Sequence, residues 1–182
     1  FNPGSSQSPG SSFRANDLNM RDSLSLDSPA AILTQAMAAH GSGDTETSIR
    51  LYKKVTASTY SQLPLEESDN KELIRAAIEG LQACGDGMAA ITALETALNH
   101  WPGSPMFLIR AANAYENIGN FERASQHLQT ITERFPDKSR YFLRLANAHA
   151  ARGNWEGAEA AYARTLNISP LDPTATLYRG DV

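Results

Sequence analysis

Two stretches decide the fold when one is laid above the other: GSPMFLIRAANAYENIGNFERASQHLQTITERFP at 103–136 and DKSRYFLRLANAHAARGNWEGAEAAYARTLNISP at 137–170. They close on Pro136 and Pro170, and Pro102 precedes them at the same interval, since 170 − 136 and 136 − 102 both give 34. Gly85, Gly119 and Gly153 keep that interval, as do Ala90, Ala124 and Ala158. Residue types with three different physical roles share one period, which is the mark of stacked helical hairpins.

Each unit has the same internal logic. In the last, Phe142, Leu145, Ala146 and His149 recur at helical spacing, Gly153-Asn154 interrupts, and Ala158, Tyr162, Thr165 and Leu166 resume along one side. The pattern predicts helices over 140–152 and 156–167, folded back as a hairpin. Glycine suits the left-handed turn that ends the first helix, and Pro170 stops the second because it has no N–H and clashes with the preceding turn. Ala112 and Ala146, with Ala124 and Ala158 opposite, let two helices approach closely. Tyr115, Phe121, Leu128, Trp155 and Tyr162 are expected to fill the space between neighbouring hairpins.

The text Leu108-x-x-Ala111-Ala112-x-x-Tyr115, Gly119-Asn120-Phe121-x-x-Ala124-x-x-x-Leu128, Pro136 and its successor Phe142-x-x-Leu145-Ala146-x-x-His149, Gly153-Asn154-Trp155-x-x-Ala158-x-x-x-Tyr162, Pro170 resembles the tetratricopeptide repeat family. The preceding unit departs from the family pattern, with Ile78 where a small residue is usual and Gly87 where an aromatic is usual. The resemblance implies an all-α, right-handed superhelical solenoid of about four antiparallel hairpins plus a partial C-terminal helix. It also implies a non-enzymatic role, with a protein or peptide partner held on the concave face lined by the first helix of each pair.

Repeats are expected at 71–104, 105–138 and 139–172. Upstream, Ser28-Pro29 reads as a helix start, with the hydroxyl capping free N–H groups and proline at the first helical position. It opens a degenerate repeat over 29–70 whose connection is longer, because Gly43 lies 85 − 43 = 42 residues before Gly85. The extra length is placed at 60–69, as a longer helix end or a surface loop. Residues 1–28, rich in Ser, Gly and Pro, read as a tether, or as an arm that docks in a groove of this chain or a neighbour through Leu18, Met20, Leu24 and Leu26. Residues 173–182 read as a cap or as the first helix of a further repeat, and Arg179-Gly180-Asp181 as a chance tripeptide.

Composition excludes several classes. The 182 residues carry a net charge of −4 with the basic residues scattered, which argues against a nucleic-acid partner. No apolar run is long enough to span a bilayer. The single cysteine, Cys84, is read as a filler beside its turn. His40, His100, His127 and His149 show no metal-ligand spacing with Cys, Asp or Glu, and Gly85-Asp86-Gly87 lacks the lysine of a phosphate-binding loop, so no cofactor and no catalytic role are expected. The chain begins at Phe1, not Met, and is read as a processed product or a piece of something longer. That start resembles bacterial envelope lipoproteins of secretion and pilus assembly, implying a periplasmic or membrane-tethered setting, with the cytoplasm as alternative.

The expected groove positions are Met37, Arg75, Glu79, Arg110, Asn113, Glu116, Arg140, Arg144 and Asn147. Asn113 and Asn147 are one period apart, and so are Arg110 and Arg144. An amide bonds a peptide backbone in both senses and a guanidinium grips a carboxylate bidentately, so a row of the two could clamp an extended peptide or a C-terminal carboxylate. Arg140 and Arg144, with Arg75, match the basic places of family members that grip acidic tails. Glu79 and Arg110 stand where such members carry Asn. Alternatively Arg110 pairs with Glu116 or another neighbour on an inert surface. Two other roles are weighed: a substrate-recruiting segment of a larger enzyme or secretion component, and a homo-oligomer that self-associates through its arm.

Overall fold

The structure is a computed structural model that describes residues 27–61 and 67–180; the arm, the 62–66 connection and the last two residues lie outside them. Within the described residues the chain is helical, in the order α1 (Pro29–Gly41), α2 (Thr45–Ser61), α3 (Glu67–Ala83), α4 (Gly87–His100), α5 (Pro105–Asn117), α6 (Phe121–Arg134), α7 (Ser139–Ala151), α8 (Trp155–Ile168) and α9 (Pro173–Gly180). Each helix packs on the next in sequence, so four hairpins stack in file with α9 against α8.

The turns inside the hairpins share one chemistry. Gly43, Gly85, Gly119 and Gly153 have φ of 83°, 82°, 74° and 75°, a region open to glycine at little cost. The residue after each glycine, Asp44, Asp86, Asn120 or Asn154, then accepts a backbone N–H of the next helix through its side-chain oxygen. Glycine ends one helix and its neighbour starts the next. At the chain's first helix Ser28 does the same for Ala31 at 3.2 Å, with Pro29 following.

Counted from these glycines, the small positions expected at the helix crossings correspond to Ala36 and Ser48, Ile78 and Ala90, Ala112 and Ala124, and Ala146 and Ala158. Every one of these residues is 0% exposed. Ser48 is the polar exception, and its hydroxyl donates to the Ala36 carbonyl at 3.0 Å. Ile78 is the bulky exception, and α3 and α4 lie less closely against each other than the helices of any other hairpin. A branched side chain wedged at a crossing built for alanine accounts for the gap.

The longer first spacing is taken up by helix: α2 and α3 are 17 residues each, against 13 or 14 in the later hairpins. The added C-terminal turn of α2 carries Tyr60, whose ring stacks on His100 at 4.9 Å and whose hydroxyl donates to the Ala93 carbonyl. Burial pushes the Tyr60 phenol up.

Of the residues expected between hairpins, Leu128 and Tyr162 are fully enclosed, and Tyr115 is half-buried with its ring stacked on His127 and its hydroxyl on Glu95. Trp155 is a correction, because it is 59% exposed. It is the first residue of α8, directly after the cap Asn154, and that position looks out along the turn edge.

His149 lies on the half-buried side of α7, where the Asn154 amide donates to its Nδ1 at 3.2 Å. That bond needs the lone pair of a neutral ring. Burial and then the positive charge of Arg152 push the imidazole below its ordinary 6.5, with Glu122 opposing. The folded chain therefore binds this proton less readily than the unfolded chain, and the stability so gained is present above pH 6.5 and lost as pH falls from there through the folded value. The difference in melting temperature between pH 7.5 and pH 5.5 should shrink in His149→Gln; an unchanged difference would show that His149 titrates freely.

Candidate functional site

Positions that recur along α3, α5 and α7 bring most of the expected groove residues into one row. Arg75 donates to both carboxylate oxygens of Glu79, at 2.8 and 2.7 Å, and also pairs with Glu72. Glu79 in turn accepts from Arg110 of the next hairpin. One hairpin further, Arg144 donates to the Asn113 side-chain oxygen at 2.5 Å and to Glu116 at 2.8 Å. Arg110 therefore pairs with Glu79 and not with Glu116, and both cross-hairpin rungs have the same register, 110 − 79 and 144 − 113 being 31.

The remaining expected residues sit differently. Arg140 lies over the Tyr141 ring at 4.7 Å and donates to its hydroxyl, with no carboxylate partner among the described residues. Asn147 accepts the Tyr162 hydroxyl at 2.8 Å. Met37 is 60% exposed on α1, apart from the network. Glu72 was not anticipated, although it stands one helical turn before Arg75 and that spacing was the available signal.

Electrostatics limits what this face does. The paired side chains keep a quarter to two-fifths of their surface exposed, so each rung contributes only about 0–1 kcal/mol. Their value is register. Glu72 and then Glu79 hold the Arg75 guanidinium still more firmly protonated, and Arg75 keeps the Glu72 carboxyl below its ordinary range. The three guanidiniums on α3, α5 and α7 that the network ties are already met by carboxylate before any ligand arrives.

Between α3 and α5, beside this row, lies a hollow of about 340 Å³ lined by Gln82, Gly85, Gly87, Arg110, Asn113, Ala114, Asn117 and Ile118. Gln82 and Asn117 escaped the sequence reading, and the only hint of them was Gly87, where the repeat normally carries a ring. On the opposite side of the same splayed hairpin a second hollow of about 520 Å³ opens between α2 and α4, with Leu81 in its lining and the Lys53–Asp86 pair at 2.8 Å. No group of three or more His, Cys, Asp or Glu that could hold a metal occurs among the described residues, and no described helix is long and apolar enough to cross a membrane.

Residues 109–176 match the model of a family described as tetratricopeptide repeat. Among solved structures, the chain is similar to MamA (41-end) from Desulfovibrio magneticus RS-1, with 17% identity, a TM-score of 0.59, and 84% of this chain and 82% of that one covered. It is also similar to YrrB, described as a TPR protein with an unusual peptide-binding site, at 16% identity and a TM-score of 0.60, covering 92% of this chain and 85% of that one. A third is the first TPR of Spaghetti (RPAP3) bound to the HSP90 peptide SRMEEVD, at 19% identity and a TM-score of 0.51 over 60% of this chain and 86% of that one. No curated protein sequence matches the chain.

Proposed function

We propose that this chain, a tetratricopeptide-repeat solenoid, is a non-enzymatic interaction scaffold that holds an extended peptide segment of a partner protein along its first-helix face. The observation that carries this reading is the row itself, in which Glu79, Asn113 and Asn147 recur on successive first helices with Arg110 and Arg144 beside the last two. Such a row offers a hydrogen-bonding side chain from each successive first helix to a peptide laid across them. Two of the similar structures are described with a bound peptide or a peptide-binding site, which supports the same use here. An acidic tail of the SRMEEVD kind is not the favoured ligand, because Arg75, Arg110 and Arg144 already have acidic partners. A role in a secretion, pilus or envelope assembly has no support in the fold.

The test uses peptides selected from a random displayed library against the full chain and remade with a photo-crosslinking side chain. Labelling is expected on α3, α5 and α7. The double substitution Arg144→Ala with Asn147→Ala should weaken the selected peptides by about tenfold while the helical content is kept. Labelling confined to α4, α6 and α8 would overturn the proposal.

A further inference from the structure

We propose that the hollow between α3 and α5 selects a side-chain carboxamide, from a glutamine or asparagine of the bound segment, over a carboxylate. This rests on the peptide-binding reading of the same face. Three carboxamides of the chain, Gln82, Asn113 and Asn117, line the hollow, and all three are exposed. The Asn113 oxygen is engaged by Arg144, which leaves its NH₂ as the group to offer. Gln82 and Asn117 each bring a donor and an acceptor, the complement of an incoming amide.

Charge decides against the alternatives. Arg110 is the one charged side chain in the lining, and Glu79 already engages it. A carboxylate entering here would lose hydration without gaining a net counter-charge, and an ammonium would meet a guanidinium. A neutral amide pays neither cost. Ile118, 50% exposed, supplies an apolar wall for the methylenes that carry it.

The site is particular to this interval of the array. One period on, Gln82 is replaced by Glu116, Gly87 by Phe121, Asn117 by Ala151 and Ile118 by Arg152. The corresponding hollow there, about 540 Å³, is walled by Phe121 and the Arg152–Glu122 ion pair, and its one carboxamide, Asn120, has its oxygen taken by the Arg123 N–H. At Gly87 no ring stands in the wall, and an added Cβ would meet nothing within 4 Å.

The experiment follows the side-chain NH₂ signals of the full ¹⁵N-labelled chain, titrated with N-acetylglutamine methylamide and, separately, N-acetylglutamate methylamide. The glutamine probe should shift the signals of Gln82, Asn113 and Asn117 and bind at least about tenfold more tightly than the glutamate probe. Gly87→Phe, which installs the ring of the later hairpins, should abolish these shifts without lowering the melting temperature, and Gln82→Glu should erase the preference. Equal or tighter binding of the glutamate probe, or no shift of these signals, would overturn the inference. If selected peptides still label the first-helix face of Gly87→Phe with undiminished affinity, the carboxamide pocket fails while the peptide face stands. Labelling elsewhere brings down both.

Discussion

Gly80→Ala is expected to lower the stability of the chain by about 2 kcal/mol, although alanine is the better helix former. Gly80 lies inside α3, and a Cβ built there overlaps the Tyr52 ring at three of its atoms. Tyr52 is only 3% exposed. Overpacking of this kind costs about 1–3 kcal/mol or more, and a rigid buried ring puts this case at the upper end. Helix propensity returns about 1 kcal/mol, which is not enough. The later hairpins show the compensation already made: counted from the turn glycines, Tyr52 and Gly80 correspond to Leu94 and Ala114, then to Leu128 and Ala148. Tyr52→Leu should therefore rescue Gly80→Ala, and a urea-unfolding double-mutant cycle reads the coupling directly. Independent, additive losses would show that ring and glycine do not share one space.

The second large effect is at the last crossing. Ala146→Leu places a four-carbon side chain where α7 meets α8, at a position 0% exposed against an equally buried Ala158. The cost is about 1–3 kcal/mol of strain, with the two helices forced apart. Ile78 shows the direction of the response, because the hairpin that carries it is the splayed one. In Ala146→Leu the thermal unfolding midpoint should fall by several degrees, whereas Asn147→Ala, one residue along on the exposed side, should lose only its bond to Tyr162. Equal midpoints for the two variants would mean that the register assigned to α7 is wrong.

What the sequence made legible follows from how local each cause is. The left-handed turns, the caps after them and the small residues at crossings depend on a few neighbouring positions, so the 34-residue period exposes them. Trp155 was misplaced because helical spacing says which side of α8 it shares but not that the first turn of the helix overhangs the edge. The partner of Arg110 was undetermined for a different reason. A contact across 31 residues depends on how one hairpin is rotated on the next, and no spacing within a hairpin encodes that rotation. The Gln82–Asn117 hollow is of the same kind, since it exists only once α3 and α5 are side by side. Its trace in the sequence was a missing feature, the absent ring at Gly87.

The rungs Glu79–Arg110 and Asn113–Arg144 have a mechanical consequence. A solenoid is a spring, and its stiffness resides in what joins successive coils. Here polar brackets join successive coils on both sides, Glu79–Arg110 and Asn113–Arg144 between first helices and Lys53–Asp86, His127–Glu95 and Arg152–Glu122 on the other, while apolar packing fills the body. Each bracket is weak, so together they set the rotation of one coil on the next and leave the stiffness to the packing. Cutting one should therefore change the pitch of a single coil and leave its neighbours wound as before.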